Sequence, residues 1–165
     1  MVSRTRQKLQ REDGLWYYEM QELGYNYRIT DIQAALGTSQ LKRARKNVEI
    51  RRELVRKYNE AFVSISEIKT PYEAADVYHA YHLYVIQVED RLVLYNFLRE
   101  NGIFAQVLYY PLNLMPYYKQ FGNKEGDLPV VEEYYKHCLA LPMFPTLTDE
   151  QQQYVISKVK EFICK

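Results

Sequence analysis

Apolar residues recur at mostly three- to four-residue spacing through Ile32, Leu36, Leu41, Ala44, Val48, Val55 and Phe62, with a gap at Arg51-Arg52. That spacing marks one face of an α-helix. Thr30-Asp31-Ile32-Gln33 has the form of a capping box, in which Thr accepts from the third helical amide and Gln reaches back. The pattern therefore predicts a helix over 30–62, on the order of 45–50 Å long. A helix of that length suits a bridge between two bodies or a crossing at a dimer interface. Its start, Ala34-Ala35-Leu36-Gly37, is rich in small residues and permits close approach of another backbone. Beyond Pro71 the pattern changes. His82 to Val88 is β-branched and aromatic and predicts a strand. Asp90 caps a helix through Leu92, Tyr95 and Leu98 that stops at Asn101-Gly102. Ile103 to Tyr109 predicts a second strand, closed by Pro111. Tyr117 to Phe121 suits a helical turn, and Asp127-Leu128-Pro129 opens a helix to about Lys136 with Pro early in its first turn. Leu139 to Leu141 is a short strand candidate. Thr148-Asp149-Glu150-Gln151 is a second capping box, before a last helix with Val155, Val159 and Phe162 on one face. Residues 1–22 have no clean period and read as an extended or loop segment.

This order gives a small α/β (α+β) body with a short antiparallel or mixed sheet, joined by the long helix to whatever precedes it. The expected division is an extension over 1–28, the connecting helix over 29–62 and the small domain over 63–165.

Composition narrows the class without naming a function. The chain has 165 residues, 47% apolar and 26% charged, with a formal net charge of +1. That balance gives no global pull towards nucleic acid or an anionic surface. No apolar run approaches the roughly 20 residues of a membrane span, and Met1 to Arg11 lacks the apolar segment of a secretory signal. A cytoplasmic location is expected. Cys138 and Cys164 lack metal-ligand spacing and read as reduced thiols. Seventeen tyrosines, several in adjacent pairs, suit interfaces and polar-ligand clefts, and equally an ordinary half-buried surface.

The stretch Lys42 to Lys57 holds eight Lys or Arg against two Glu. It fits a phosphate-binding stripe or, without any accompanying nucleic-acid motif, a solvated helix face. The latter is the expectation. Of His79, His82 and His137, the first two fall around the predicted strand start, where no Asp, Glu or Cys completes a ligand set, so no zinc site is expected, and no nucleophile–base arrangement is recognisable.

One ordered series of motifs is more specific. Gly24-Tyr25-Asn26-Tyr27-Arg28-Ile29-Thr30-Asp31-Ile32-Gln33-Ala34-Ala35-Leu36-Gly37 is similar to the G-x-N-x-R-x-x-x-I-x-A-A-x-G segment of the DegT/DnrJ/EryC1/StrS sugar aminotransferases. Tyr81-His82-Leu83-Tyr84, Asn101-Gly102-Ile103, Gln106-Val107-Leu108-Tyr109-Tyr110-Pro111, Pro116-Tyr117-Tyr118, Leu141-Pro142-Met143 and Leu147-Thr148-Asp149-Glu150-Gln151 follow in the family's order. The resemblance covers about residues 13 to 163. Within the family, Trp16 to Met20 and Ala105-Gln106-Val107 are most similar to the transaminases of pseudaminic acid biosynthesis.

The resemblance implies the small carboxy-terminal domain of a fold-type I homodimer that uses pyridoxal 5'-phosphate. It implies transfer of an amino group from glutamate to C4 of a UDP-linked 4-keto-6-deoxy-N-acetyl sugar. The Schiff-base lysine of such enzymes sits upstream in a Ser-x-x-x-Lys context. No lysine here has a serine four residues before it, so no catalytic residue is assigned and the chain is expected to be inactive alone. The alternative is a dimerisation or interaction module acting in trans with an amino-terminal half. Asn26 matches an asparagine that reaches the cofactor phosphate or bound sugar across the dimer, although its residue type also suits a loop turn. Arg28 matches an arginine that binds carboxylate or phosphate, or braces the loop. Gln106, Val107, Leu108 and Tyr109 match the segment lining the nucleotide-sugar site, with Leu108 where a histidine is often found. His82 reads as structural.

Overall fold

The computed structural model describes residues 2–3, 19–20, 25 and 27–164. Two short strands, β1 (Val2–Ser3) and β2 (Glu19–Met20), pair antiparallel. Helix α1 (Asp31–Phe62) follows. Then come β3 (Tyr84–Gln87), α2 (Arg91–Glu100), a 3-10 turn (Leu112–Leu114), α3 (Pro116–Lys119), α4 (Pro129–His137), β4 (Cys138–Leu141) and α5 (Asp149–Ile163). Residues 1–43 and 44–165 form two compact units.

The first unit contains the start of α1. Its capping box is formed: Gln33 N donates to Thr30 Oγ1 at 3.3 Å, and Thr30 N donates to Gln33 Oε1 at 3.0 Å. The apolar residues of this part are not buried. Ile32, Leu36 and Leu41 are 83%, 61% and 75% exposed.

The second unit is built on β3 and β4, paired antiparallel from Tyr84–Leu141 to Gln87–Cys138. Single bridges extend the sheet on both edges, Lys69 to Gln87 and Gln106 to Ala140. The short antiparallel sheet expected from the sequence is therefore present. The Ile103–Tyr109 strand is reduced to that one bridge at Gln106. Its alternation is real, since Ile103 and Ala105 are buried while Phe104 and Gln106 are exposed, but alternation reports burial and not a ladder.

Later turns of α1 close one side of the sheet. Leu54, Val55, Tyr58 and Phe62 are buried, and the Tyr58 ring stacks on Phe62 (5.9 Å) and on Tyr84 of β3 (4.7 Å). The gap at Arg51-Arg52 has a physical reason. Arg51 donates to the Tyr81, His82 and Met143 carbonyls, and Arg52 to Glu73 and the His79 carbonyl. These are positions where guanidinium heads replace apolar contacts by tying down the loop before β3. Helix α2 ends in a Schellman pairing: Ile103 N donates to Leu98 O and Gly102 N to Arg99 O, with Gly102 at φ +73°. Ile103 and Leu98 are then both buried. Helix α5 opens on the expected capping box, with Gln151 N donating to Thr148 Oγ1 and Thr148 N to Gln151 Oε1. From the first turn of α5, Gln152 Nε2 donates to Leu54 O of α1 at 2.7 Å.

Candidate functional site

The candidate residues fall in different compact units. Asn26 lies outside the described residues. Its neighbours Tyr25 and Tyr27 are 87% and 91% exposed and stack at 5.6 Å. Arg28 is exposed in the same unit.

Gln106 to Tyr109 belong to the second unit. Gln106 N donates to Ala140 O (3.0 Å) and Gln106 O accepts from Ala140 N (2.8 Å). Both backbone groups of Gln106 are thus committed to the sheet, while its side chain is exposed. Val107 and Leu108 are half-buried, and Tyr109 is 71% exposed. Leu108 O accepts a weak bond from Cys138 Sγ at 3.8 Å, while burial pushes the Cys138 thiol up. The Cys138 thiol is therefore held as an uncharged packing group. A shallow open groove of about 450 Å³ runs beside this segment, lined by Tyr95, Arg99, Phe104, Ala105, Gln106 and Val107. Arg99 lies 5.3 Å from the Phe104 ring centre and donates to the Tyr95 hydroxyl.

A second groove, of about 430 Å³, is lined by Arg52, Arg56, Glu53, Glu60, Glu73 and neighbours. Among the described residues, three of the eight cations of the basic stretch pair with carboxylates. Arg52 pairs with Glu73, Arg56 with Glu53 and Glu60, and Lys57 with Asp149. Glu73 also accepts from His79 N and the Tyr81 hydroxyl. Arg52, with those two donors, pulls its carboxyl down to about 2. The sequence could not reveal the Arg52–Glu73 and Lys57–Asp149 pairs, whose partners lie 21 and 92 residues apart.

Among the described residues no group of three or more His, Cys, Asp or Glu could hold a metal ion, and no helix is long and apolar enough to cross a membrane. His82 is exposed and contributes its backbone carbonyl to Arg51, while His79 packs on Tyr81. No catalytic step is assigned to Arg28 or to the Gln106 segment.

The antiparallel sheet under a long helix, with the motif order noted above, defines the small domain of a fold-type I aminotransferase. The chain belongs to the DegT/DnrJ/EryC1/StrS aminotransferase family, whose model matches residues 3–160. The spore coat polysaccharide biosynthesis protein SpsC of Bacillus subtilis is 39% identical over 92% of this chain and 41% of its own length. The UDP-4-amino-4,6-dideoxy-N-acetyl-beta-L-altrosamine transaminase of Campylobacter jejuni is 31% identical over 91% of this chain and 43% of its own. Among solved structures, the PLP form of the sugar aminotransferase Spr1654 from Streptococcus pneumoniae superposes with a TM-score of 0.77. It is 29% identical, over 88% of this chain and 38% of that one. The chain spans about two fifths of the length of the curated relatives it matches.

Proposed function

We propose that this chain is the carboxy-terminal part of a pyridoxal-phosphate-dependent aminotransferase acting on a nucleotide-linked keto sugar. The amino group moves from glutamate to C4 of a UDP-linked 4-keto-6-deoxy-N-acetyl sugar, in surface polysaccharide or pseudaminic acid biosynthesis in the cytoplasm. The observation that carries the reading is the family match across residues 3–160, in which the motifs keep the family's order. The cofactor, when bound, supplies the electron sink for amino transfer. This chain's share is binding. Asn26 and Arg28 donate to phosphate or carboxylate oxygens, and the Gln106 side chain and Tyr109 hydroxyl meet polar groups of the nucleotide sugar. The Schiff-base lysine comes from the upstream part of the enzyme, which assembles as a homodimer or from complementary halves.

The test is reduction with borohydride in the presence of pyridoxal phosphate, read by mass spectrometry. The chain alone should give no stoichiometric pyridoxyl-lysine. Co-expressed with the amino-terminal part of a family relative, it should restore transfer from glutamate to the UDP-4-keto sugar. A stoichiometric adduct on one lysine of the isolated chain refutes this division of labour.

A second reading, an interaction module acting in trans, is favoured by the exposed Ile32, Leu36 and Leu41 of α1. A well-behaved monomer by light scattering, with no affinity for an amino-terminal half, would end it.

A further inference from the structure

Three contacts lay the segment 108–113 along one line of residues. Leu108 O meets Cys138 Sγ. The Tyr110 ring packs edge-on against Tyr135, 5.3 Å between centroids at 84°. Asn113 Nδ2 donates to Glu132 Oε1 at 2.8 Å. Residues 132, 135 and 138 are spaced by three, so α4 and the first residue of β4 offer consecutive neighbours along one face. Between the first two pins, Tyr109 is left pointing outward, 71% exposed.

The polar pin is the unusual one. Glu132 is only 9% exposed and Asn113 only 6%. Besides Asn113, the Glu132 carboxylate accepts from Gly126 N at 2.9 Å and from Leu128 N at 3.3 Å. These donors, Gly126 first, hold its carboxyl below the usual carboxylate range. A single side chain thus closes the base of the loop that carries the 3-10 turn and α3, and caps the start of α4. Asn113 Oδ1 has no partner among the described residues, so the Asn113 amide is held through its donor end. A buried carboxylate that satisfies three donors in this way is a costly group to remove, because all three are left unpaired.

We infer that Glu132 is a positioning residue for the nucleotide-sugar edge: through Asn113 it fixes where the Gln106–Tyr109 segment ends and so where the Gln106 amide and Tyr109 hydroxyl stand. The inference rests on the assignment of Gln106–Tyr109 to ligand binding proposed above. Glu132 touches no ligand in this scheme and acts through the loop.

Amide hydrogen exchange on the whole chain compares E132A, E132Q and N113A with the parent. In E132A the Gly126 and Leu128 amides should exchange about ten- to a hundredfold faster, while Gln87 in the sheet and Leu94 in α2 keep their protection. In N113A the Tyr109–Leu114 amides should exchange faster with the same core unaffected. E132Q should lie near the parent. Its carboxamide oxygen, placed at the Oε1 position, still accepts from Asn113 Nδ2, Gly126 N and Leu128 N. Unchanged exchange in E132A overturns the inference, as does an equal loss at Gln87 and Leu94 in both alanine variants, or E132Q as disrupted as E132A. The second readout uses the chain assembled with an upstream part. E132A should raise KM for the UDP sugar about tenfold, with kcat within about twofold, and E132Q should restore it. An unchanged KM severs the loop from the ligand edge. If the parent assembly shows no turnover, the proposed function fails on its own account, and hydrogen exchange still decides whether Glu132 holds the loop.

Discussion

Replacing Tyr84 tests whether the aromatic stack is what joins the long helix to the sheet. Tyr84 is fully buried. Its ring lies 4.7 Å from Tyr58 at an interplanar angle of 18°, and its hydroxyl donates to Asn59 Oδ1 at 2.8 Å. Tyr84→Phe removes only the hydroxyl. Asn59 is half-buried and can recover water, so the loss should be about 1 kcal/mol, the net worth of an ordinary hydrogen bond. Tyr84→Ala removes the ring as well. Deleting a fully buried aromatic leaves a cavity and costs about 3–5 kcal/mol, and the lost stacking accounts for roughly 0.5–1.5 kcal/mol of it. Urea unfolding followed by helical circular dichroism gives both values from midpoints at constant slope. A double-mutant cycle with Tyr58→Ala should show a coupling within that stacking range. Equal losses for Phe and Ala, or a loss below about 1 kcal/mol for Ala, would refute the claim that the ring holds α1 to β3.

Glu73→Gln should destabilise the chain at neutral pH. The Glu73 carboxyl is depressed from 4.5 to about 2 by Arg52, His79 N and Tyr81, so its stabilisation is present above about 4.5 and lost as pH falls towards 2. Urea midpoints of parent and variant should therefore converge across that window. His137 shifts the other way. Glu133, assisted by the Val88 carbonyl and Glu89, raises it above 6.5, so its contribution is full below 6.5 and disappears as pH rises through the raised value. The gap in midpoint between parent and His137→Gln should accordingly be largest in mild acid, and a gap that widens towards alkaline pH contradicts the assignment. Thr148→Ala removes one half of the α5 capping box and should cost about 1 kcal/mol, with Gln151→Ala less than additive to it in the same urea assay.

Local chemistry was legible in the chain, whereas long-range partners were not. Both capping boxes, the Gly102 stop of α2 and the Pro129 start of α4 form as their residue types dictate, since each involves groups within a few positions. The long helix was legible by period, yet its burial differs along its length. Val55 and Phe62 are inside, and so are Leu54 and Tyr58, which the apolar series omitted. Tyr58 is buried because its hydroxyl reaches Pro142 O, 84 residues away, and no local pattern announces such a partner. The strand over 103–109 was misread for a related reason. Its alternation reports burial, but only Ala140 of β4 is bridged from that edge. The motif order carried the family and the small-domain fold, because those motifs sit at the caps, strand ends and loop pins that the fold needs.

The same geometry sharpens what the candidate edge can do. With a leucine where the family often has histidine, backbone contacts were the natural means for the 106–109 segment to meet a ligand. At Gln106 both backbone groups are instead bonded to Ala140, and Leu108 O faces the buried Cys138 thiol. Under the proposed function, recognition at Gln106 falls to its side-chain amide, with the Tyr109 hydroxyl beside it, each side chain exposed. Side-chain readout is only as accurate as the backbone beneath it. The Ala140 bridge fixes one end of the segment, and Asn113 with Glu132 fixes the other. On the proposed function, this domain would set ligand specificity in this way, by deciding where two exposed side chains stand.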